Sequence, residues 1–275
     1  MIEIPEAAVL AQQINQLLRG KRIARGVAGA SPHKFAWFSG DPTGYSSLLA
    51  GRQIGEAAAW GGMVEIEVEE MRLLFGDGVN LRFHPSMGEI PLKHQLLVEL
   101  DDGSALSATV AMYGGIWCYE VGTNQNPYFQ AAVEKPSPLS QAFDRAYFES
   151  LFAAGTEKMP LKGFLATQQR IPGLGNGALQ DILYRVGLHP RTKVAGLSQA
   201  ARDGLFVAVK DVLSEMFFKG GRDTECDLWG RPGGYSTRMS KYTAGQPCPA
   251  CGSPIHKETY LGGSIYFCPG CQRVS

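Results

Sequence analysis

Gln169-Arg170-Ile171-Pro172-Gly173-Leu174-Gly175-Asn176-Gly177 is the stretch on which the reading of this 275-residue chain turns. It runs on into Ala178-Leu179-Gln180-Asp181-Ile182-Leu183-Tyr184, so it joins two helical patterns. Glycines let a backbone turn tightly and come close to a partner. The helix that follows offers free N–H donors and a partial positive charge suited to a phosphate. Taken alone, such a turn is equally a plain helix-turn-helix corner, and its surroundings decide between the two.

Helical patterns flank it at about residues 141–153, 161–169, 178–186 and 199–218, where apolar residues recur every three or four positions. Before them, residues 123–140 are rich in Asn, Pro and Ser and are expected to form a linker. Further back, from Lys21 to about Tyr119, the pattern is of short strands. Val64, Ile66 and Val68 alternate with Glu65, Glu67 and Glu69, and Gly76-Asp77-Gly78 is expected to turn a hairpin. The alternating glutamates read as a solvated strand face that discourages edge pairing, rather than a metal or acid/base cluster. The chain opens with a helix whose apolar face is Val9, Leu10, Ile14, Leu17 and Leu18, with Pro5 in its first turn and Gly20 as its stop.

After a glycine-rich loop at residues 220–236 comes Cys248-x2-Cys251-x16-Cys268-x2-Cys271. Two Cys-x-x-Cys knuckles on a β-hairpin can bring four thiolates into a closed tetrahedral site, and this spacing is a strong zinc signal. With no position left open, the zinc is expected to be structural, and so small a tail needs it in order to fold. Cys118 and Cys226 stand apart and read as small hydrophobes.

With 44% hydrophobic and 19% charged residues, the chain can bury real cores. No apolar run is long enough to span a bilayer, and Glu3 and Glu6 stand where a secretory signal would be basic, so a cytoplasmic protein without a membrane partner is expected. The net charge of zero hides an asymmetry. Residues 1–130 hold 9 Lys+Arg against 14 Asp+Glu, and the remainder 17 against 12, which makes the second half the expected electrostatic footprint on a nucleic acid.

The order of these features resembles the formamidopyrimidine-DNA glycosylase and endonuclease VIII family along most of the chain. Its most specific pieces are Met1-Ile2-Glu3-Ile4-Pro5-Glu6, Gln169 to Asn176 with His189-Pro190 soon after, and Cys248 to Gln272. The resemblance implies an α+β protein: an N-terminal helix and antiparallel β-sandwich (1–122), a linker (123–140), a helix-two-turns-helix domain (141–219), a glycine-rich loop (220–244) and a zinc hairpin (245–275). It implies a monomer that grips damaged double-stranded DNA in the nucleoid and flips a damaged nucleotide out for chemistry at its N-terminus. Carried over by position, Glu3 matches the catalytic glutamate, Glu6 a second acidic residue, and Ile2 stands where the nucleophilic proline is common. Lys162, Gly175 and Asn176 match phosphate-contacting positions. His84-Pro85-Ser86-Met87 resembles a loop whose methionine fills the gap left by the flipped base. Lys241 stands where a phosphate-binding tyrosine is common. The loop at 220–236 covers the extruded base in relatives. Arg222, Asp223 and Arg231 there are candidate edge readers, although solvated loop charges are the simpler reading of each.

The chain departs from the family at several positions. Ile2 replaces the proline, there is no lysine between Lys34 and Lys93, Gly263 replaces an arginine of the hairpin, and Met112-Tyr113-Gly114 replaces an Arg-Arg-Phe wedge. These losses point to base excision with weak or absent strand cleavage. Glu3 would activate a water or assist a displaced amine. A non-catalytic binder of damaged DNA is the alternative, and a zinc-ribbon protein acting on RNA a more distant one.

Overall fold

The structure is a computed structural model that describes residues 1–273. The opening helix α1 (Ile4–Leu17) begins where expected, with Pro5 in its first turn and the Glu6 carboxylate accepting from the Glu3 N–H at 3.2 Å. It buries Ala7, Leu10, Ala11 and Ile14 against the sheet that follows and ends before Gly20, whose φ of 85° suits only glycine without strain.

That sheet contains β1 (Ile23–Ala28), β2 (Ala36–Phe38), β3 (Ile54–Trp60), β4 (Met63–Val68), β5 (Met71–His84), β6 (Leu96–Leu100) and β7 (Ala105–Glu120), with α2 (Tyr45–Leu49) between β2 and β3. Its order is β1-β6-β7-β5-β4-β3. The long strands β5 and β7 pair along nearly their whole lengths and link the β1-β6 part to the β4-β3 part. Inward residues of both parts meet in one core that includes Ile23, Val64, Ile66, Phe75, Val98 and Ile116.

The expected antiparallel sheet is present along this path, with one addition off it: β2 pairs parallel with β7 at Ala36 to Phe38. Gly76-Asp77-Gly78 does not turn a hairpin. It lies inside β5, where the register shifts between Asp77 and Val79 and Asp77 takes a φ of 60°. The extra residues lie in β7, since Asp77 pairs with Gly114 and Val79 with Val110, so the irregularity is a bulge in β7 past which β5 continues its pairing. The alternation in β4 holds as read: Val64, Ile66 and Val68 are buried, and Glu65 and Glu67 lie on the wetter face.

The segment 123–140 is also more ordered than a linker. Its proline and asparagine residues start a helix, α3 (Pro127–Glu134), with Asn126 as N-cap accepting from the Tyr128 and Phe129 N–H groups. The helix expected over 141–153 is shorter, α4 (Arg145–Ser150), because Asp144 caps it. Then come α5 (Leu161–Ala166), α6 (Asn176–Arg185) and α7 (Gln199–Phe218), which share a second core around Phe143, Phe148, Phe164, Leu179, Ile182, Val209 and Leu213. Ile4 of α1 belongs to this second core, and Leu228 of the glycine-rich loop belongs to the first. The start of α1 and the glycine-rich loop therefore stitch the halves together. The tail is a hairpin of β8 (His256–Tyr260) and β9 (Gly263–Phe267) over a very small core of Met239, Cys248, Ile255, Tyr266 and Cys268. No helix among the described residues is long and apolar enough to cross a membrane.

Candidate active site

The N-terminal segment leading into α1 and the glycine turn meet face to face. Ile2 donates its N–H to the Asp77 carbonyl at 2.8 Å, and Ile4 donates to the Gly173 carbonyl at 3.1 Å. Glu3, between them, points its carboxylate at the start of α6. There Oε1 accepts from the Gly177 N–H and Oε2 from the Ala178 N–H, each at 2.9 Å. A carboxylate at a helix N-terminus satisfies donors that otherwise lack partners and is favoured by the helix dipole.

Glu3 and Glu6 are each 4% exposed, and two carboxylates so deeply buried need a cation. Arg222 supplies it. Its Nη1 lies 3.2 Å from Glu3, while its Nε and Nη2 donate to both oxygens of Glu6 at 2.9 and 2.7 Å. Arg222 is only 2% exposed, so it is neither a solvated loop charge nor a free reader of a base edge. Its backbone N–H also donates to Glu6, at 3.1 Å. For Glu6, burial pushes the carboxyl up, but the guanidinium and these hydrogen bonds reverse the effect and hold it below the ordinary glutamate value. For Glu3, burial wins over the pull of Arg222 and the two N–H donors, and the carboxyl stays above that value.

The glycines of the turn serve this cluster. A Cβ at Gly173 would lie 1.9 Å from the Gly62 nitrogen, one at Gly175 2.4 Å from the Glu3 carboxyl carbon, and one at Gly177 1.5 Å from Arg222 Nη1. The partner that requires close backbone approach is thus the protein's own interior. The sequence signal that could have found Arg222 was Glu3 and Glu6 themselves, three residues apart on a buried helix start with no basic residue nearby.

Met1 reaches the surface, and its amine pairs with the Glu225 carboxylate. With Met1 present, the Ile2 nitrogen is a peptide N–H and its side chain is part of the sheet core, so Ile2 offers no nucleophile. Beside Met1, Ile2 and Glu3 opens a cavity of about 870 Å³ between the sheet and the glycine turn, with aromatic walls from Trp37, Tyr113, Trp117, Tyr119 and Tyr128.

Lys162, Gly175 and Asn176 come together near the hairpin tip. Lys162 Nζ donates to the Tyr260 carbonyl and Asn176 Nδ2 to the Ser264 carbonyl, while Asn176 Oδ1 is buried without a partner. A Cβ at Gly263 would stand 3.5 Å from Lys162 Nζ and 3.8 Å from Asn176 Nδ2. His84, Met87 and Lys241 lie outside this assembly. His84 is buried with Nε2 2.8 Å from Ser107 Oγ, Met87 is exposed at a turn after β5, and the Lys241 ammonium lies over the Tyr242 ring. None of the three lines the cavity.

The Sγ atoms of Cys248, Cys251, Cys268 and Cys271 all lie within 4.8 Å of one another. Thiolates about 2.3 Å from one tetrahedral ion would be ~3.8 Å apart, so the four fit a single metal ion. The Tyr184 hydroxyl of α6 sits 3.2 Å from Cys248 Sγ, and Gln272 links the Cys268 N–H to the Leu188 carbonyl at 2.9 Å each. These bonds tie the tail to α6 and to the segment just after it.

No family model matches the chain. The formamidopyrimidine-DNA glycosylase of Desulforamulus reducens is 31% identical over 218 residues, which cover 74% of this chain and 77% of that relative. The chain belongs to the formamidopyrimidine-DNA glycosylase family. The family member of Gloeobacter violaceus is 28% identical over 289 residues, covering 100% of this chain and 98% of its own. Among solved structures, the MutM (Fpg) protein of Thermus thermophilus superposes with a TM-score of 0.82 at 24% identity, covering 99% of both chains. Lactococcus lactis Fpg in complex with DNA containing an abasic site superposes with a TM-score of 0.82 at 22% identity, covering 98% of this chain and 99% of that one. Family membership agrees with the fold expected from the sequence, down to the four-cysteine hairpin.

Proposed function

We propose that the protein binds damaged duplex DNA and excises a flipped damaged base by hydrolysing its N-glycosidic bond. The observation that carries this reading is the Glu3 carboxylate, fixed at the start of α6 on the wall of the cavity in a member of a glycosylase family. As a general base, Glu3 takes a proton from water while the water oxygen bonds to the sugar C1′. The C1′–N bond breaks, and the departing base keeps the electron pair and gains a proton. The α6 donors and Arg222 hold the ionised form ready, and burial keeps it basic enough to accept a proton. Glu6 acts through Arg222 and does not itself reach a substrate. Glu3, its partners and the cavity all come from one chain, so a monomer is the acting unit.

Lys162 and Asn176 would face a phosphate beside the flipped nucleotide, with the unpartnered Asn176 Oδ1 turned by amide rotation to release its N–H groups. Asn176→Ala should weaken binding to lesion and plain duplexes alike, roughly tenfold for one lost charge-assisted contact, as read by fluorescence anisotropy. Met87 and Lys241 are left as outer contacts to DNA, and His84 as a support for the strand end beneath Met87.

The four cysteines would hold one structural zinc ion, which would brace the hairpin and expose no coordination position to substrate. We expect one zinc per chain by metal analysis. Its removal with a strong chelator should abolish tight DNA binding while leaving the sheet's circular dichroism in place. A fully folded, DNA-binding preparation with no bound metal would contradict the assignment.

The test of the whole reading is incubation with labelled duplexes carrying an abasic site, an oxidised purine, an oxidised pyrimidine or an alkylated purine, resolved with and without hot alkali. Base release seen as strand breaks only after alkali is expected. Breaks without alkali would mean that the Met1 amine does chemistry, and tight binding with no product from any lesion would favour a recognition protein.

A further inference from the structure

The glycine-rich loop delivers Arg222 to Glu3 and Glu6, and it is anchored on either side of that delivery. At its stem, Gly221 donates to the Met216 carbonyl near the end of α7 at 2.8 Å, Arg222 bridges to Tyr235 across the loop, and Tyr235 is buried in the helical core. At its tip, Leu228 is fully buried in the sheet core. The Leu228 carbonyl accepts from the Phe83 N–H of β5 at 2.8 Å, and its N–H donates to Gln13 Oε1 of α1 at 2.9 Å. Gln13 Nε2 donates in turn to the Asp227 carboxylate at 3.0 Å, and Arg82 Nη1 to the Asp227 carbonyl at 2.7 Å. The Trp229 ring stands edge-on to Phe83, with centroids 5.1 Å apart. Arg222 thus lies on a strap fastened to one core at its stem and to the other at its tip.

The loop contains Gly220, Gly221, Gly230, Gly233 and Gly234, and glycine loses more backbone freedom than any other residue when it is fixed. A segment of this composition stays in place only where contacts offset that loss. Gln13 supplies two of the contacts from the helix that also carries Glu6 and is capped by Glu3, so the tip is held by the same element that presents the carboxylates. The space beneath the loop, between Glu6, Gly221, Arg222 and Glu225, has no room for a water molecule. A guanidinium that drifted away would leave both carboxylates in a dry gap, with no other cation bonded to either among the described residues.

We propose that Gln13 and Leu228 are positioning residues: by clasping the tip of the loop to α1 and the sheet, they hold the Arg222 guanidinium on the Glu3 and Glu6 carboxylates. The inference rests on the base-excision reading, in which Glu3 must be ionised to accept a proton, and adds what keeps its counter-ion in place. The charged and titratable groups around this cluster are Arg222 and Glu225 of the loop, the Met1 amine, Glu6 of α1, Asp77 of β5, Tyr113 of β7 and Asp181 of α6. Burial raises the Glu3 carboxyl, Arg222 lowers it and Glu6 raises it. Loosening the strap weakens the lowering contribution, so Glu3 should titrate at higher pH and lose its ionised form sooner as the pH falls.

The test is a pH titration of the full chain, carrying 13C at its glutamate side-chain carboxyls and followed by NMR, with the Glu3 signal assigned by its loss in Glu3→Gln. Gln13→Ala removes both clasp bonds from a helix position that alanine suits, and should raise the Glu3 midpoint by roughly one pH unit, the lower end of the effect of a neighbouring opposite charge. Leu228→Ala should raise it further, whereas Leu228→Met, which keeps the apolar anchor, should restore the parent midpoint. Single-turnover base release below the midpoint should fall about tenfold for each pH unit of the rise. An unmoved Glu3 midpoint in Gln13→Ala would overturn the inference, whether or not Leu228→Ala folds. A raised midpoint in a protein that releases no base from any of the damaged duplexes would leave the positioning in place and remove the excision reading.

Discussion

Arg222→Met should destabilise the protein by about 3–5 kcal/mol near neutral pH, the cost of leaving buried charges without their partner. For a chain of this size the thermal midpoint should fall by roughly 6–20 °C. The reason is geometric. Glu3 and Glu6 are almost wholly buried, and Arg222 is the only cation bonded to either among the described residues. Methionine fills a similar volume but leaves two carboxylates facing each other. The deficit should depend on pH in a definite direction. In the unaltered protein Glu6 lies below its ordinary value of 4.5, so its contribution is present above that value and is lost as the pH falls through the folded pKa. In Arg222→Met both carboxyls are pushed above their unfolded values. Their cost is absent below about pH 4.5 and grows as the pH rises through it. Melting curves at pH 4 and pH 7 should therefore converge at the lower pH. A variant as stable as the parent at pH 7 would contradict the account of the cluster.

Glu3→Gln should lower base release by roughly 10²–10⁴-fold, the usual range for loss of a general acid or base. Glutamine keeps the shape and one oxygen for the α6 donors, but its amide nitrogen must face either an N–H of Gly177 or Ala178 or the guanidinium of Arg222. A stability loss of a few kcal/mol is therefore expected alongside the kinetic one. The two effects separate if release is measured in single turnover at a temperature well below the variant's midpoint, and if binding to the abasic-analogue duplex is unchanged. A variant that folds, binds and releases base at the parent rate would remove Glu3 from the chemistry and leave it as a helix cap.

The sequence by itself determined the features whose causes lie within a few residues. The start of α1 follows from Pro5 and Glu6, the inward face of β4 from its alternation, α7 from its apolar spacing, and the clustering of four cysteines beside the hairpin from two Cys-x-x-Cys pairs. Local capping, pleat and ligand spacing dictate these wherever the chain goes. The same local rules misread Gly76-Asp77-Gly78 as a hairpin, because whether a glycine-flanked step ends a strand or runs through it depends on the neighbour, here β7, that pairs on both sides of it. They also left residues 123–140 as a linker, although Asn126 and Pro127 carry the start signal of α3.

Only the tertiary structure decided the candidate site. Glu3 meets the start of α6 across 174 residues, and Glu6 meets Arg222 across 216, because the start of α1 and the glycine-rich loop are both anchored in cores built by other segments. That packing turned Arg222 from a loop charge into the counter-ion of two buried glutamates, and gave the glycines of residues 173–177 the task of making room for them. It also left His84 inside the sheet and opened the aromatic cavity on the other side of Glu3. A sequence names which residues want partners. Which partners they obtain depends on where distant segments are brought together, since burial sets both the cost of a lone charge and the value of the one that neutralises it.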